Sequence, residues 1–216
     1  MKQASSGPEG EAGSGPAPRT LIYLPIVHTQ ADLGSLGESV KRAAVKKSGT
    51  AAWRRKAQAI DKLWTGIEQV IDALKLDYAR VRLYQDGLPV CGREVEIVRD
   101  LARQGSRNHQ LLARLMARGA TLMGTESSDL LVQEYELARK ALAGGASEPA
   151  PPARKPGESD AILESRNRYI AARINATLRP GETGILFLGM LHSLKGRLDP
   201  DIRVIYPLQP PPQGQG

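Results

Sequence analysis

His28 and His192, two of only three histidines in the chain, each stand at the end of an apolar run. His28 follows residues 21–27 (LIYLPIV), and His192 follows residues 184–191 (GILFLGML). An imidazole can bind a divalent metal or carry a proton near neutral pH. Two distant segments that end on this residue type predict a shared polar site, provided that the fold brings their ends together.

The elements that would position these histidines follow from the hydrophobic pattern. Short runs rich in Ile, Leu and Val are typical of strands buried on both faces, whereas apolar residues at steps of three and four predict helices. The predicted strands are residues 21–27, 81–84, 121–123, 184–191 and 202–206. The predicted helices are residues 35–47, 51–76, 93–103, 108–118, 129–142 and 160–178. This alternation predicts an α/β fold with a mostly parallel central sheet of about five strands and helices on both faces.

The carboxyl ends of the strands are where open α/β sheets bind ligands. The residues that follow four of the predicted strands are His28, Asp86, Glu126 and His192. Two imidazoles and the Glu126 carboxylate could hold a divalent metal (Zn, Mn, Fe or Co) with open positions for water and substrate. Without a metal, one histidine would act as general base and the carboxylate would orient it.

Each of these residues also has a structural interpretation. A histidine after a strand can be a hydrogen-bonded loop residue, and Glu126 could favour the N-terminus of the following helix through its dipole. Asp86, which precedes a glycine, could form a turn. Pro25 interrupts the first run and predicts either a bulge or an edge position near the end of that strand. His109 stands at a predicted helix start among basic residues, and we interpret it as structural.

Part of the chain resembles the C-terminal signature of the TraB/Tiki-like proteins, a group that includes pheromone-shutdown proteins and, more distantly, erythromycin esterase-like enzymes. The matching residues are ESRNRYIA (residues 164–171) and the strand GILFLGMLH (residues 184–192), which ends in Gly-x-x-His. Two positions depart from the family pattern. Pro25 stands where the family has the glycine of an earlier Gly-x-x-His, and Ser165 separates Glu164 from the Arg-Asn pair.

The resemblance implies a metal-dependent or histidine-dependent hydrolase with a small-molecule or peptide-like substrate. It implies that His28 and His192 are metal ligands or bases, that Glu126 is their acidic partner, and that Arg166 contacts an anion or oxyanion. The departures from the pattern also leave open an inactive member that keeps the fold as an interaction scaffold.

The charge balance suggests a second class of function. The chain carries a net charge of +7, and residues 41–56 hold seven Lys and Arg residues and no acid. Such a segment can be a solvated helical face, or it can bind nucleic acid or another polyanion. In the second case the protein would be a non-enzymatic binding or regulatory protein. The candidate anion contacts are Lys46, Lys47, Arg54 and Arg55.

Composition bounds the domain organisation. Residues 1–18 and 209–216 are rich in Gly, Pro, Ser and Gln, and we expect both to be disordered tails. Residues 19–208 are expected to form one domain, with a flexible Pro/Gly-rich loop at 144–158. The single cysteine, Cys91, excludes an internal disulfide and has no evident base partner. Since no apolar run approaches the roughly 20 residues that span a bilayer, a cytoplasmic location is expected.

Overall fold

The computed structural model describes residues 17–27, 37–143 and 157–208. Five strands form one sheet in the order β3-β2-β4-β1-β5, and every neighbouring pair is parallel. The strands are β1 Arg19–Ile26, β2 Val81–Gln85, β3 Thr121–Met123, β4 Thr183–Gly189 and β5 Ile202–Ile205. The predicted parallel sheet is therefore confirmed.

The helices connect these strands in the expected alternation. They are α1 Gly37–Ala73, α2 Glu94–Arg103, α3 Arg107–Ala117, α4 Ser128–Ala143 and α5 Glu158–Thr177, with a single 3-10 turn at Tyr78–Arg80. Gly49 interrupts α1 with a backbone φ of 81° and ψ of 159°, a conformation that glycine adopts without a Cβ penalty. This break confirms the prediction of two consecutive helical segments.

Side chains of successive strand residues point to opposite faces, and each face has its own hydrophobic core. On β1, Ile22 belongs to the core that α1, α2 and α3 cover, whereas Leu21 belongs to the core covered by α5. Trp64, Ile67 and other fully buried residues dominate the first core. Helices therefore lie on both faces of the sheet, as the sequence predicted.

Pro25 lies at a position where β1 has a strand neighbour on one side alone. β1 pairs with β5 only from Arg19 to Ile22, while its pairing with β4 continues to Ile26. Pro25 itself is opposite Leu188 of β4. A proline tolerates such a one-sided position because its missing N–H leaves no ladder partner unsatisfied there. The edge interpretation of Pro25 is thus the one that the register supports.

The strand order creates a topological switch point between β2 and β4. From β2 the chain passes through α2 and α3 to β3 at one edge of the sheet, and from β4 it passes to β5 at the other edge. The two connections leave neighbouring strands in opposite directions, so a crevice opens between them at their carboxyl ends. In open α/β sheets this is the place where ligands bind.

Most of the predicted tails and of the predicted loop lies outside the described residues, namely residues 1–16, 144–156 and 209–216. Where the chain is described, two details differ from the prediction. The Ala17 carbonyl accepts a hydrogen bond from the Gly181 N–H at 3.1 Å, and α5 already begins at Glu158. In the described parts of the chain, no helix has both the length and the apolar character needed to cross a membrane.

Candidate functional site

Four side chains meet at the carboxyl ends of β2, β3 and β4, and we call them the carboxyl-edge cluster. Asp86 directly follows β2, Glu126 follows β3, His192 follows β4, and Arg166 reaches them from α5. One ligand atom from each of Asp86, Glu126 and His192 can be chosen so that all three lie within 4.8 Å of one another. The cluster therefore sits at the topological switch point.

Arg166 holds the carboxylates of this cluster together. Its Nε and Nη2 donate to the two oxygens of Glu126, each at 2.6 Å, and Nη2 also donates to Asp86 Oδ1 at 2.8 Å. Nη1 donates to Glu134, a half-exposed residue of α4. A guanidinium has five N–H groups in a fixed fork, and four of them are used here on carboxylates. Arg166 thus organises anionic side chains of the protein itself; a contact with an oxyanion of a substrate stays a prediction.

Backbone N–H groups fix both carboxylates from the other side. Gly189 N donates to Asp86 Oδ2 and Gly87 N donates to Glu126 Oε1, both at 2.8 Å. The backbone of Glu126 is held in turn by its N–H bond to the Leu88 carbonyl at 3.0 Å. Position 189 has no room for a side chain, because a Cβ there would lie 2.7 Å from Asp86 Oδ2. The glycine of the Gly-x-x-His segment is therefore required by the close approach of Asp86.

Asn167 of α5 orients the imidazole ring of His192. Its Nδ1 lies 2.7 Å from Asn167 Oδ1, and the Ser193 N–H donates to the same oxygen at 3.3 Å. Because an amide oxygen can only accept, Nδ1 carries the proton in the neutral ring and Nε2 holds the basic lone pair. Nε2 lies 3.6 Å from Asp86 Oδ1, and the side chain of His192 is only 5% exposed. The basic nitrogen consequently faces a buried carboxylate.

Burial and crowding of like charges determine the protonation of the cluster. Desolvation raises the pKa of Glu126, the hydrogen bond and charge of Arg166 oppose this, and the charge of Asp86 reinforces it, so that the net pKa is raised. For Arg166, burial alone would lower the pKa, but Glu126, Asp86 and Glu134 outweigh it and the pKa rises. Two acids beside one guanidinium cannot both ionise without cost. Glu126 therefore keeps its proton to higher pH than an exposed glutamate does.

Tyr23 is a further titratable side chain whose pKa is affected by Asp86. It lies on β1, and its ring centroid is 5.3 Å from that of Tyr206, just beyond β5. Burial, with a smaller contribution from the charges of Tyr206 and Asp86, raises the pKa of Tyr23 to about 12. The phenol consequently stays protonated near neutral pH and remains a hydrogen-bond donor.

Asp86, Glu126 and His192 are the side chains that could hold the predicted divalent metal. The 3.6 Å between His192 Nε2 and Asp86 Oδ1 is close to the spacing of about 3.4 Å that two ligands of a tetrahedral site require. Both carboxylates already accept hydrogen bonds from the Arg166 cation, Asp86 on Oδ1 and Glu126 on both of its oxygens. His192 can therefore contribute to a metal site through Nε2, whereas Asp86 and, to a greater extent, Glu126 would have to share lone pairs with the guanidinium.

Of the residues predicted for this site, Glu126, Arg166 and His192 come together. His28 lies outside the described residues, so its predicted part in the site stays a prediction. The residues predicted to bind anions are not part of the cluster: Lys46, Lys47, Arg54 and Arg55 are exposed on α1.

Sequence reasoning missed other members of the site. Asp86 was noted after its strand but was not assigned to the site, since Asp-Gly is also a turn signal. Asn167 stood in the Arg-Asn pair of the family pattern without an assigned role, and Glu134 had no signal of its own. Glu164, the displaced acid of the family pattern, points elsewhere, because both of its oxygens accept hydrogen bonds from Arg197 Nη2 at 2.7 Å.

Two further residues singled out in the sequence have structural positions. His109 is buried at the start of α3, where its Nδ1 lies 2.6 Å from the oxygen of the capping residue Ser106. Cys91 is exposed, and it carries no disulfide. Neither belongs to the carboxyl-edge cluster.

Comparison of the chain with protein-family models, with curated proteins and with solved structures finds no match.

Proposed function

We propose that the protein is a hydrolase of the TraB/Tiki-like type, with His192 as the general base of the reaction. One observation carries the proposal. At the topological switch point, the basic nitrogen of a buried, oriented histidine faces the carboxylate of Asp86 at 3.6 Å. The motif resemblance at residues 164–171 and 184–192 supports the same class of reaction.

In this mechanism Nε2 of His192 takes the proton of a water molecule as that water attacks an electrophilic carbonyl or phosphoryl centre. Asp86 stabilises the imidazolium that forms, because an opposite charge at this distance in a buried site favours the charged ring. Asn167 holds the ring by its Nδ1, and Arg166 keeps Asp86 in place through Nη2. Proton transfer by a positioned side chain accounts for roughly 10²–10⁴ of a rate enhancement.

A divalent metal is a second version of the same proposal. Asp86 and His192 would hold it. Glu126 would be a further oxygen donor if one of its hydrogen bonds from Arg166 were broken. A bound metal would polarise the substrate and lower the pKa of a bound water. Elemental analysis of purified protein distinguishes the two versions. Stoichiometric metal that is lost in both His192→Ala and Asp86→Asn supports the metal version, whereas metal-free protein with full hydrolytic activity supports the general-base version.

The proposal is tested by assaying the purified protein against carboxylic esters, peptides, phosphomonoesters and phosphodiesters. We expect hydrolysis of at least one class, and a loss of about 100-fold or more in His192→Ala. The control is Leu191→Ala, because Leu191 precedes His192 and is 83% exposed, so this variant should retain the wild-type rate. Absence of hydrolysis in every class, or equal rates for His192→Ala and wild type, would argue against the proposal.

A further inference from the structure

The first half of α1, residues 37–59, is largely exposed after the buried Gly37, and we call it the basic arm. Residues 46–51 are all exposed, and so are residues 54–59. Residues 54–59 are six consecutive helical residues and cover more than one full turn, so the helix is open to solvent there around its whole circumference, whereas residues 46–51 span the break at Gly49. The predicted apolar stripe of this helix becomes buried only from Trp64 onward, with Ile60 half-buried.

The cations of the basic arm are not neutralised by the rest of the chain. Within the described residues, Lys46, Lys47, Arg54 and Arg55 make no ion pair, and Lys41 makes one at 3.7 Å with Glu38. The packed half of the same helix differs, because Asp61 and Glu68 there both pair with Arg107 of α3. The arm is thus a concentration of positive charge that nothing in the described protein uses.

The chemistry of the arm selects among anionic partners. None of the large exposed hydrophobic residues lies in α1, so the arm has no side chain suited to insertion into a membrane surface. Trp53 is half-buried, and no other aromatic residue lies between 37 and 59, so the arm offers no stacking platform for unpaired bases. A regular array of phosphates is the partner that remains.

The shape of the arm selects among nucleic acids. The major groove of B-form DNA is about 12 Å wide and admits an α-helix, whereas the major groove of A-form RNA is too deep and narrow for side chains to read. Gly49 divides the arm into two short helical segments, and the second of them, residues 50–59, is about 15 Å long at 1.5 Å per residue, a length that can lie along such a groove. We infer that the basic arm docks on double-stranded DNA through phosphate contacts made by Lys46, Lys47, Arg54 and Arg55.

The basic arm follows β1 in the chain and leads into the packed half of α1. The inference does not depend on the hydrolase proposal, since it rests on exposure and charge alone.

The test measures binding of the full chain to a labelled DNA duplex of about 20 base pairs by fluorescence anisotropy. Neutralising four phosphates predicts that log K falls against log salt with a slope of about −3.6. The quadruple variant Lys46→Gln, Lys47→Gln, Arg54→Gln, Arg55→Gln should lose on the order of 100-fold in affinity at low salt and most of the salt slope.

The matched control changes four exposed cations elsewhere on the surface: Arg99→Gln, Lys140→Gln, Lys195→Gln and Arg203→Gln. Both quadruple variants lower the net charge from +7 to +3, since each loses four positive charges. The control should bind within a few-fold of wild type. The inference is overturned if wild type does not bind, if the two variants lose affinity equally, or if single-stranded DNA, double-stranded RNA or anionic vesicles bind more tightly than the duplex.

Discussion

Two regions of the molecule concentrate charge, and they do so in opposite ways. In the carboxyl-edge cluster the Arg166 side chain is 5% exposed and donates to three carboxylates. In the basic arm Lys46, Lys47, Arg54 and Arg55 are exposed and have no acidic partner among the described residues. A buried charge must be paired because desolvation is costly, whereas an exposed charge is solvated by water. We therefore expect the cluster to be sensitive to single substitutions and the arm to tolerate them.

Removal of the buried cation should have the largest effect. Arg166→Met leaves Asp86 and Glu126 buried without their counter-charge, so the free energy of unfolding should fall by about 3–5 kcal/mol. Urea denaturation measures this difference. The matched variant in the arm, Arg54→Met, should change the free energy by less than about 0.5 kcal/mol. Equal stabilities of the two variants would contradict the contrast between the regions.

The close approach of backbone and carboxylate should give the next largest effect. In Gly189→Ala the new Cβ would lie 2.7 Å from Asp86 Oδ2, and relief of this overlap should cost about 1–3 kcal/mol. Gly66→Ala is the control, because a Cβ in that helical position has no atom within 4 Å. The control should stabilise the protein by up to about 1 kcal/mol. Thermal unfolding of both variants tests the expectation, and a stable Gly189→Ala would refute it.

A smaller effect should appear in the pH dependence of stability. Because the pKa of Glu126 is raised in the folded protein, its contribution to stability is complete below its unfolded pKa and is lost as the pH rises through the folded pKa. Wild type should thus lose stability relative to Glu126→Gln as the pH rises above the unfolded pKa of about 4.3, by roughly 1.4 kcal/mol per unit of pKa shift. Urea denaturation of both proteins at a series of pH values measures the difference in their free energies of unfolding. A difference that stays constant, or that changes in the opposite direction, would show that burial does not dominate the pKa of Glu126.

The sequence predicted the sheet because continuous apolar runs mark strands buried on both faces, and β1 and β4 carried this signal clearly. It also predicted Glu126 and His192, since the residue after a parallel strand lies at the ligand-binding edge. The strand order could not be predicted, because it depends on which way each helical connection crosses the sheet. Asp86 entered the cluster only once β2 and β4 were known to be neighbours.

The partners of Arg166 and the extent of the arm were also beyond sequence reasoning. Glu134 looks like any acidic residue on a helix, and only the packing of α4 against α5 brings it to Arg166. The apolar spacing in the second segment of α1 predicted a helix but not how deeply each turn is buried. Trp53 and Ile60 are half-buried, and full burial begins at Trp64.

The proposed role of His192 as general base depends on which ring nitrogen carries the proton, and ¹⁵N NMR of the imidazole measures this directly. The signal is assigned by its absence in His192→Gln, and Asn167→Leu serves as the control in which the orienting oxygen is removed. We predict that the neutral ring of wild type carries its proton on Nδ1, with a basic Nε2 directed at Asp86, and that this preference weakens in the control. A neutral ring protonated on Nε2 would contradict the account, because no base would then face the switch-point crevice.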